Sequence, residues 1–288
     1  MNISVFGDGE APELVQASVS VVIPAWNRAD TVSHAICSAL GQSVPVLEVL
    51  VCDDGSTDDS YLVVDQIARQ DARVRWLPGE RAGRPAIPRN RGLRASKGDW
   101  IAFLDSDDAW LPDKLKLQFE MVRKACGLAA CSNAMRFSLN GSEAGELLDW
   151  REPRVTLSDL LSTNRVVCSS CIVHRSVLDR TGGFPEGPEF RAIEDYALWL
   201  RVAALTDFAY CQGTLVRYRD DPEGSIRANQ SIPPDAQKAL VLEATGNWVR
   251  NSSLGTVRAF SALTQIRIAQ ARYAVAAMAR RLRHGAAR

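Results

Sequence analysis

Asp105, Asp107 and Asp108 fall within four residues, directly after the apolar run Trp100-Ile101-Ala102-Phe103-Leu104. In an extended chain the side chains alternate, so Asp105 and Asp107 point the same way. Two carboxylates about 4 Å apart repel by roughly 4 kcal/mol at an effective dielectric near 20. A divalent cation offsets such repulsion. Mg²⁺ or Mn²⁺ takes one or two protein carboxylates and leaves its other positions to water and substrate phosphates. An ion there would neutralise charge on a departing nucleotide. The plainer reading is a solvated acidic turn in which Asp108 caps a helix starting near Pro112.

A second acidic cluster, Asp53-Asp54-Gly55-Ser56, follows the apolar run Val46 to Cys52. A carboxylate there can accept from the N–H of a nucleobase, and a nearby helix N-terminus favours anionic groups. The plainer alternative is a strand-to-helix turn with Ser56 or Thr57 as N-cap. Cys168 and Cys171 form a CxxC pair, but no second pair stands at zinc-site spacing. They read as small core residues rather than as metal or redox ligands.

These acids need a scaffold, and the pattern around them supplies one. Ser18 to Ile23 is β-branched and nearly all apolar, as in a strand covered on both faces. Asp30 can cap a helix carrying Val32, Ile36, Ala39 and Leu40. Val46 to Cys52 is a second strand, followed by a helix with Leu62, Val63 and Ile67 on one face. Val74 to Leu77 and Trp100 to Leu104 are further strands. Such alternation predicts βαβ units, an open parallel sheet, and ligands at the carboxyl ends of its strands. Beyond about residue 120 the pattern is less regular. Strands are expected over Leu128–Phe137, Val166–His174 and Phe208–Tyr218, with helices over Leu157–Leu161 and Glu194–Ala204. Helical patterning runs from Asp235 to near the end.

The composition is that of an ordinary globular chain: 288 residues, 46% hydrophobic and 24% charged. Lys+Arg and Asp+Glu are both 34, which gives no sign of a nucleic-acid partner. The first residues are polar, include Asp8, Glu10 and Glu13, and lack the features of a secretory signal. No apolar run approaches the length of a membrane span. Seven scattered cysteines suit a reducing cytosol better than a disulfide framework. After Glu243 there is no acid, yet eight arginines follow, from Arg250 to Arg288. The stretch from Arg258 to Arg283 reads as an amphipathic helix. It could rest on an anionic membrane, or pack on the domain or a partner with its arginines solvated.

Taken together, Val19–Val32, Val49–Ser60 and Pro88–Leu117 resemble glycosyltransferase family 2 in motif order and spacing. The resemblance implies a GT-A fold: a Rossmann-like, mostly parallel sheet flanked by helices, here with a C-terminal helical extension. It implies a leader over 1–17, a catalytic domain over 18–232 (nucleotide-sugar half 18–117, acceptor half 118–232) and a basic extension over 233–288. It further implies inverting transfer from a nucleoside-diphosphate sugar, by default a UDP-sugar, with Mn²⁺ or Mg²⁺. Carried over, Pro24 and Asn27 begin the nucleotide pocket and Asp54 contacts the base, with Asp53 and Ser56 close by. Arg89 lies by the nucleotide, Asp105 faces the ribose or the metal, and Asp107 binds the metal.

Ile193-Glu194-Asp195-Tyr196 resembles the family's acceptor-side acidic segment. This implies Asp195 as catalytic base with Glu194 as its neighbour. The plainer reading is first-turn acids complementing a helix dipole. Tyr218-Arg219 followed by Ser225 resembles a loop that closes over the diphosphate. Where many relatives carry histidine, this chain has Asp220, Asp221 and Glu223. The implied acceptor is a glycan or lipid-linked sugar of a surface polysaccharide or lipopolysaccharide. The implied location is the cytoplasm, peripherally on the inner face of the membrane.

Two rivals stand beside this. A nucleotidyltransferase would tend to need a Gly-rich phosphate loop with a lysine, which Val19 to Ala29 lacks. A non-catalytic nucleotide- or glycan-binding module would have no need of Asp105, Asp107 and Asp195 together.

Overall fold

The computed structural model describes residues 17–138, 141–221 and 232–285, with side chains described to 276. Most of the expected leader, the 222–231 segment containing Glu223 and Ser225, and Arg288 lie outside the described residues.

The first half alternates strand and helix as expected: β1 (Val19–Ala25), α1 (Val32–Leu40), β2 (Glu48–Asp53), α2 (Ser60–Ala68), β3 (Val74–Leu77), α3 (Ala86–Ala95) and β4 (Trp100–Phe103). β3, β2, β1 and β4 pair in that order, all parallel. Burial explains the near-continuous apolar runs. Val49 and Val51 of β2 pack with α1 on one face, while Leu50 and Cys52 join the core on the other.

The second half contains β5 (Ala109–Trp110), α4 (Lys114–Ala125), β6 (Ala129–Phe137), β7 (Glu143–Glu146), β8 (Arg154–Val155) and α5 (Leu157–Ser162). It continues with β9 (Ile172–His174), α6 (Arg175–Thr181), α7 (Glu194–Leu205), β10 (Phe208–Arg219), α8 (Pro234–Asn251) and α9 (Thr256–Gly285). β9 joins the parallel half antiparallel to β4 and to β6, and β10 lies parallel to β6. One sheet therefore runs β3-β2-β1-β4-β9-β6-β10-β5, with β7 and β8 as side branches. Helices cover both faces: α1, α2 and α4 contribute to one core, α3 and α5 to α9 to the other.

Three local expectations are corrected. Thr31, not Asp30, stands at the α1 N-cap. Val166–His174 is not one strand, because a 3₁₀ turn over Cys168–Ser170 precedes the short β9. That turn is pinned from three sides by Asp108, Trp110 and Gln118. Asp108 does not cap α4, since Asp113 holds that position and Asp108 is buried elsewhere. Cys168 and Cys171 are buried, and burial pushes both thiols well up.

Candidate active site

The strand order β2-β1-β4 brings three loops to one edge of the sheet. Asn27 ties the first to the second. It adopts φ 50°, a left-handed conformation that Asn tolerates. Its N–H donates to Ser56 Oγ (3.0 Å), and its Oδ1 accepts from Thr57 N–H (2.8 Å). Pro24, in β1, is in register with Cys52 of β2. Asp53 turns back on its own loop and accepts from the backbone N–H groups of Gly55 and Ser56 at 3.0–3.2 Å. Asp53 and Ser56 thus shape the turn. Gly55 sits at φ 76°, and a Cβ there would lie 2.6 Å from Arg81 N.

Asp54 faces the loop after β3. Its oxygens accept from Ala82 N–H and Gly83 N–H, both at 2.9 Å, and from the Arg81 guanidinium. Arg81 also stacks on Trp26, 3.6 Å from the ring centroid. A hollow of about 470 Å³ opens beside this loop, between Ala82, Gly83, Arg84, Pro188 and Arg191.

The residues Arg89-Asn90-Arg91-Gly92 on α3 divide four tasks. Arg89 is buried and donates to Asp105 Oδ1 (2.6 Å) and Glu194 Oε1 (2.7 Å). Burial alone would lower its pKa. The carboxylates of Asp105 and Glu194, both bonded to it, outweigh that, so it stays cationic. Asn90 clamps the segment before α7, donating to Phe184 O and accepting from Phe184 N–H. Arg91 donates to Asp53 O (2.6 Å) and Leu77 O (3.2 Å), tying the ends of β2 and β3. Gly92 lets α3 approach the sheet, since a Cβ there would meet Val22 at 2.5 Å and Cys52 Sγ at 2.7 Å.

The acidic turn after β4 is held from within. Ser169 Oγ accepts from Asp105 N–H (3.1 Å) and donates to Asp108 Oδ2 (2.5 Å). Asp108 Oδ1 also accepts from Arg219 N–H at the end of β10 (2.9 Å). This anchors the base of the 219–225 loop to the same turn. Burial, with Asp107 and Asp105 adding to it, raises the Asp108 carboxyl well above the usual range.

Asp107 reaches outward, its side chain 30% exposed and 3.4 Å from the Arg28 guanidinium. Burial raises its pKa, Asp105 adds to the rise, and Arg28 and Arg219 oppose it without cancelling it. Among the described residues no group of three or more His, Cys, Asp or Glu side chains stands ready to hold a metal. The donors here are two hard carboxylates, each paired with one arginine, Asp105 with Arg89 and Asp107 with Arg28. That fits an Mg²⁺- or Mn²⁺-type ion completed by substrate phosphate and water.

Glu194 and Asp195 open α7 and are both buried. Burial pushes Glu194 upward, Arg89 opposes, and Asp195 adds to the rise. Its Oε2 has no hydrogen-bond partner among the described residues. Asp195 Oδ1 accepts from Tyr196 N–H (2.7 Å). Through Arg89, the turn after β4 and the start of α7 are held together. Sequence reasoning missed Ser169, Asp108 as a clamp, Arg28 and Arg81. Arg28 stood in plain view beside Asn27, whereas Ser169 had no signal beyond its place in an apolar stretch.

Residues 20–182 match the family model described as glycosyl transferase family 2. A glucosyltransferase of Escherichia coli, WfaP, is 31% identical over 215 residues, covering 74% of this chain and 80% of that protein. The chain is a family 2 glycosyltransferase. WfaP is described as UDP-Glc:alpha-D-GlcNAc-diphosphoundecaprenol beta-1,3-glucosyltransferase. Among solved structures, S. aureus TarS in complex with UDP-GlcNAc matches this glycosyltransferase at TM-score 0.68 and 20% identity, covering 86% of this chain and 71% of that one. The mannosyltransferase PcManGT from Pyrobaculum calidifontis, in complex with GDP-Man and Mn2+, matches at TM-score 0.56 and 19% identity over 96% of this chain and 82% of that one. These likenesses concern the fold, which is GT-A, as the resemblance implied.

Proposed function

We propose that this glycosyltransferase inverts the anomeric centre of a UDP-sugar while transferring it to a hydroxyl of a lipid-linked glycan during surface polysaccharide assembly. The supporting observation is the buried Arg89, hydrogen-bonded at once to Asp105 of the donor-side turn and Glu194 of the acceptor-side helix. One guanidinium thereby fixes the spacing between the donor-binding acids and Asp195.

In this reading Pro24, Asn27 and Asp54 line the base end of the cleft, beside Trp26 and the Arg81 stacked on it. Asp107 and Asp105 are the residues that would hold a divalent cation. When bound, that ion supplies neutralising charge to the diphosphate as it leaves. Asp195 takes the proton from the acceptor hydroxyl as its oxygen attacks C1 from the face opposite the diphosphate. A base so placed contributes about 10²–10⁴-fold. Residues 18–232 form the catalytic domain and 233–288 an extension of it.

The relative WfaP is named for a UDP-Glc donor and a diphosphoundecaprenol-linked acceptor, and TarS is crystallised with UDP-GlcNAc, which supports the same classes here. An acceptor of that kind puts the enzyme in the cytoplasm, against the inner face of the membrane. Calorimetry with a panel of nucleotide sugars and Mn²⁺ tests the donor. Binding of UDP-sugars that weakens on chelation supports the reading, whereas equal binding with and without the ion contradicts it.

A further inference from the structure

The helix α9 packs on the domain along one face and leaves a second apolar face exposed. One face packs on the domain: Ala262 and Ile266 are buried, and Ala259, Leu263 and Ala269 lie against the core. The opposite face carries Val257, Phe260, Thr264, Ile268, Ala271 and Val275, spaced three or four residues apart and all exposed. Val257 is 85% exposed, Phe260 74% and Val275 70%, so this apolar stripe is covered by nothing among the described residues. On a 100°-per-residue wheel, Arg267 and Arg272 flank the stripe, one on each side, and both are exposed. The sequence beyond continues with Arg280, Arg281 and Arg283 and holds no acid after Glu243.

The helix is also aimed. At its start, Arg258 donates to Leu205 O at the far end of α7 (3.0 Å). In its middle, Tyr273 donates to Asp235 in the first turn of α8. One turn along α8, Lys238 donates to the Tyr196 hydroxyl, next to Asp195. α9 therefore runs antiparallel to α8, from the distant end of α7 back to the level of the candidate base. A 30-residue helix is about 45 Å long, so its last turns extend beyond the start of the 18-residue α8.

We propose that the outward face of α9 lies flat on an anionic lipid bilayer, its apolar stripe in the headgroup boundary and its arginines on lipid phosphates. Among the described residues no helix is long and apolar enough to cross a membrane, so this contact is peripheral. Charge decides the occupant. A second copy would set arginine-flanked stripes against each other, whereas anionic headgroups complement both flanks. The surface deepens the proposed lipid-linked acceptor, yet its test needs neither donor nor acceptor.

The test is flotation of the full chain with vesicles of phosphatidylcholine alone and of phosphatidylcholine with phosphatidylglycerol. Wild type should partition onto the anionic vesicles at least about tenfold more strongly than onto the neutral ones. Phe260→Ser combined with Val275→Ser should lose most of that binding, as should Arg267→Gln with Arg272→Gln. Both variants should melt with wild type, because the altered side chains face solvent. Equal partition onto the two vesicle types would overturn the proposal, as would undiminished binding by the folded Ser variant. A lipid-free dimer by sedimentation that the Ser variant dissolves would assign the face to a second copy and overturn it too. Failure of UDP-sugar binding with intact vesicle binding would instead count against the donor reading alone.

Discussion

Arg89 and Glu194 are 105 residues apart in the chain and 2.7 Å apart in the structure, with Arg89 buried and Glu194 buried against it. The second arm of the same guanidinium reaches Asp105 at 2.6 Å. A planar fork spanning two carboxylates is a task suited to arginine, and lysine cannot reproduce it. The bridge also joins α3 to α7, so it positions the start of α7 against the turn after β4.

Arg89→Lys should therefore cost transfer more than folding. Lysine keeps the charge but reaches one carboxylate at a time, and the expected loss is about 10²-fold in kcat. Arg89→Ala leaves two acids near each other without their cation and should destabilise by roughly 3–5 kcal/mol. Steady-state kinetics and urea unfolding on the two variants separate the effects.

Ser169→Ala removes the hydroxyl shared by Asp105 N–H and Asp108 Oδ2. With Asp108 buried, the lost donor should cost about 1–3 kcal/mol. The acidic turn should loosen as well, raising the concentration of Mn²⁺ needed for half-maximal activity. A metal titration beside a melting curve checks both parts.

Gly92→Ala tests the packing of α3 on the sheet. The new methyl would press on Val22 and Cys52 Sγ at contact distances no real Cβ keeps, and overpacking of this kind costs about 1–3 kcal/mol. Because Arg89 and Asn90 ride on the same helix, activity should fall with stability. A variant as stable as wild type would show that α3 can shift without penalty.

Lys114 supplies a pH signature away from the candidate site. It is wholly buried, bonded to Gln118 Oε1 (2.7 Å) and stacked over Trp110, and burial lowers its pKa from 10.5 to about 7. In the unfolded chain the amine stays protonated up to about 10.5. Between pH 7 and 10.5 the unfolded state therefore binds more protons, and stability from this group rises with pH. From pH 7 to 8.5 the gain is about 2 kcal/mol. Lys114→Met should lack it, so the stability of wild type relative to the variant should rise over that interval. Urea unfolding at the two pH values gives the comparison.

The parallel half of the sheet was legible because its strands are buried on both faces. Apolar runs such as Val19–Ile23 and Val49–Cys52 stand out against the polar loops that carry the acids. Asp105, Asp107 and Asp54 were visible for the same reason, each following such a run. What each acid touches was not visible. Asp53 and Asp54 are adjacent, yet one closes its own turn while the other faces residues 81–83. Asp108 looked like a helix cap because Pro112 and a helix follow, but its partners are Ser169 and Arg219, 61 and 111 residues away. Long-range pairing of this sort leaves no local periodicity. The tail read as two alternatives because its wheel has two apolar faces, and the fold covers just one of them.

The central claim is that Asp195 acts as base in a cleft shared with the donor-binding acids. Asp195→Asn keeps the size and the ability to accept from Tyr196 N–H but removes the basicity. It should lower the transfer rate by at least about 10²-fold. Calorimetric affinity for UDP in the presence of Mn²⁺ should stay within a factor of two or so of wild type. Transfer at the wild-type rate by this variant would contradict the account.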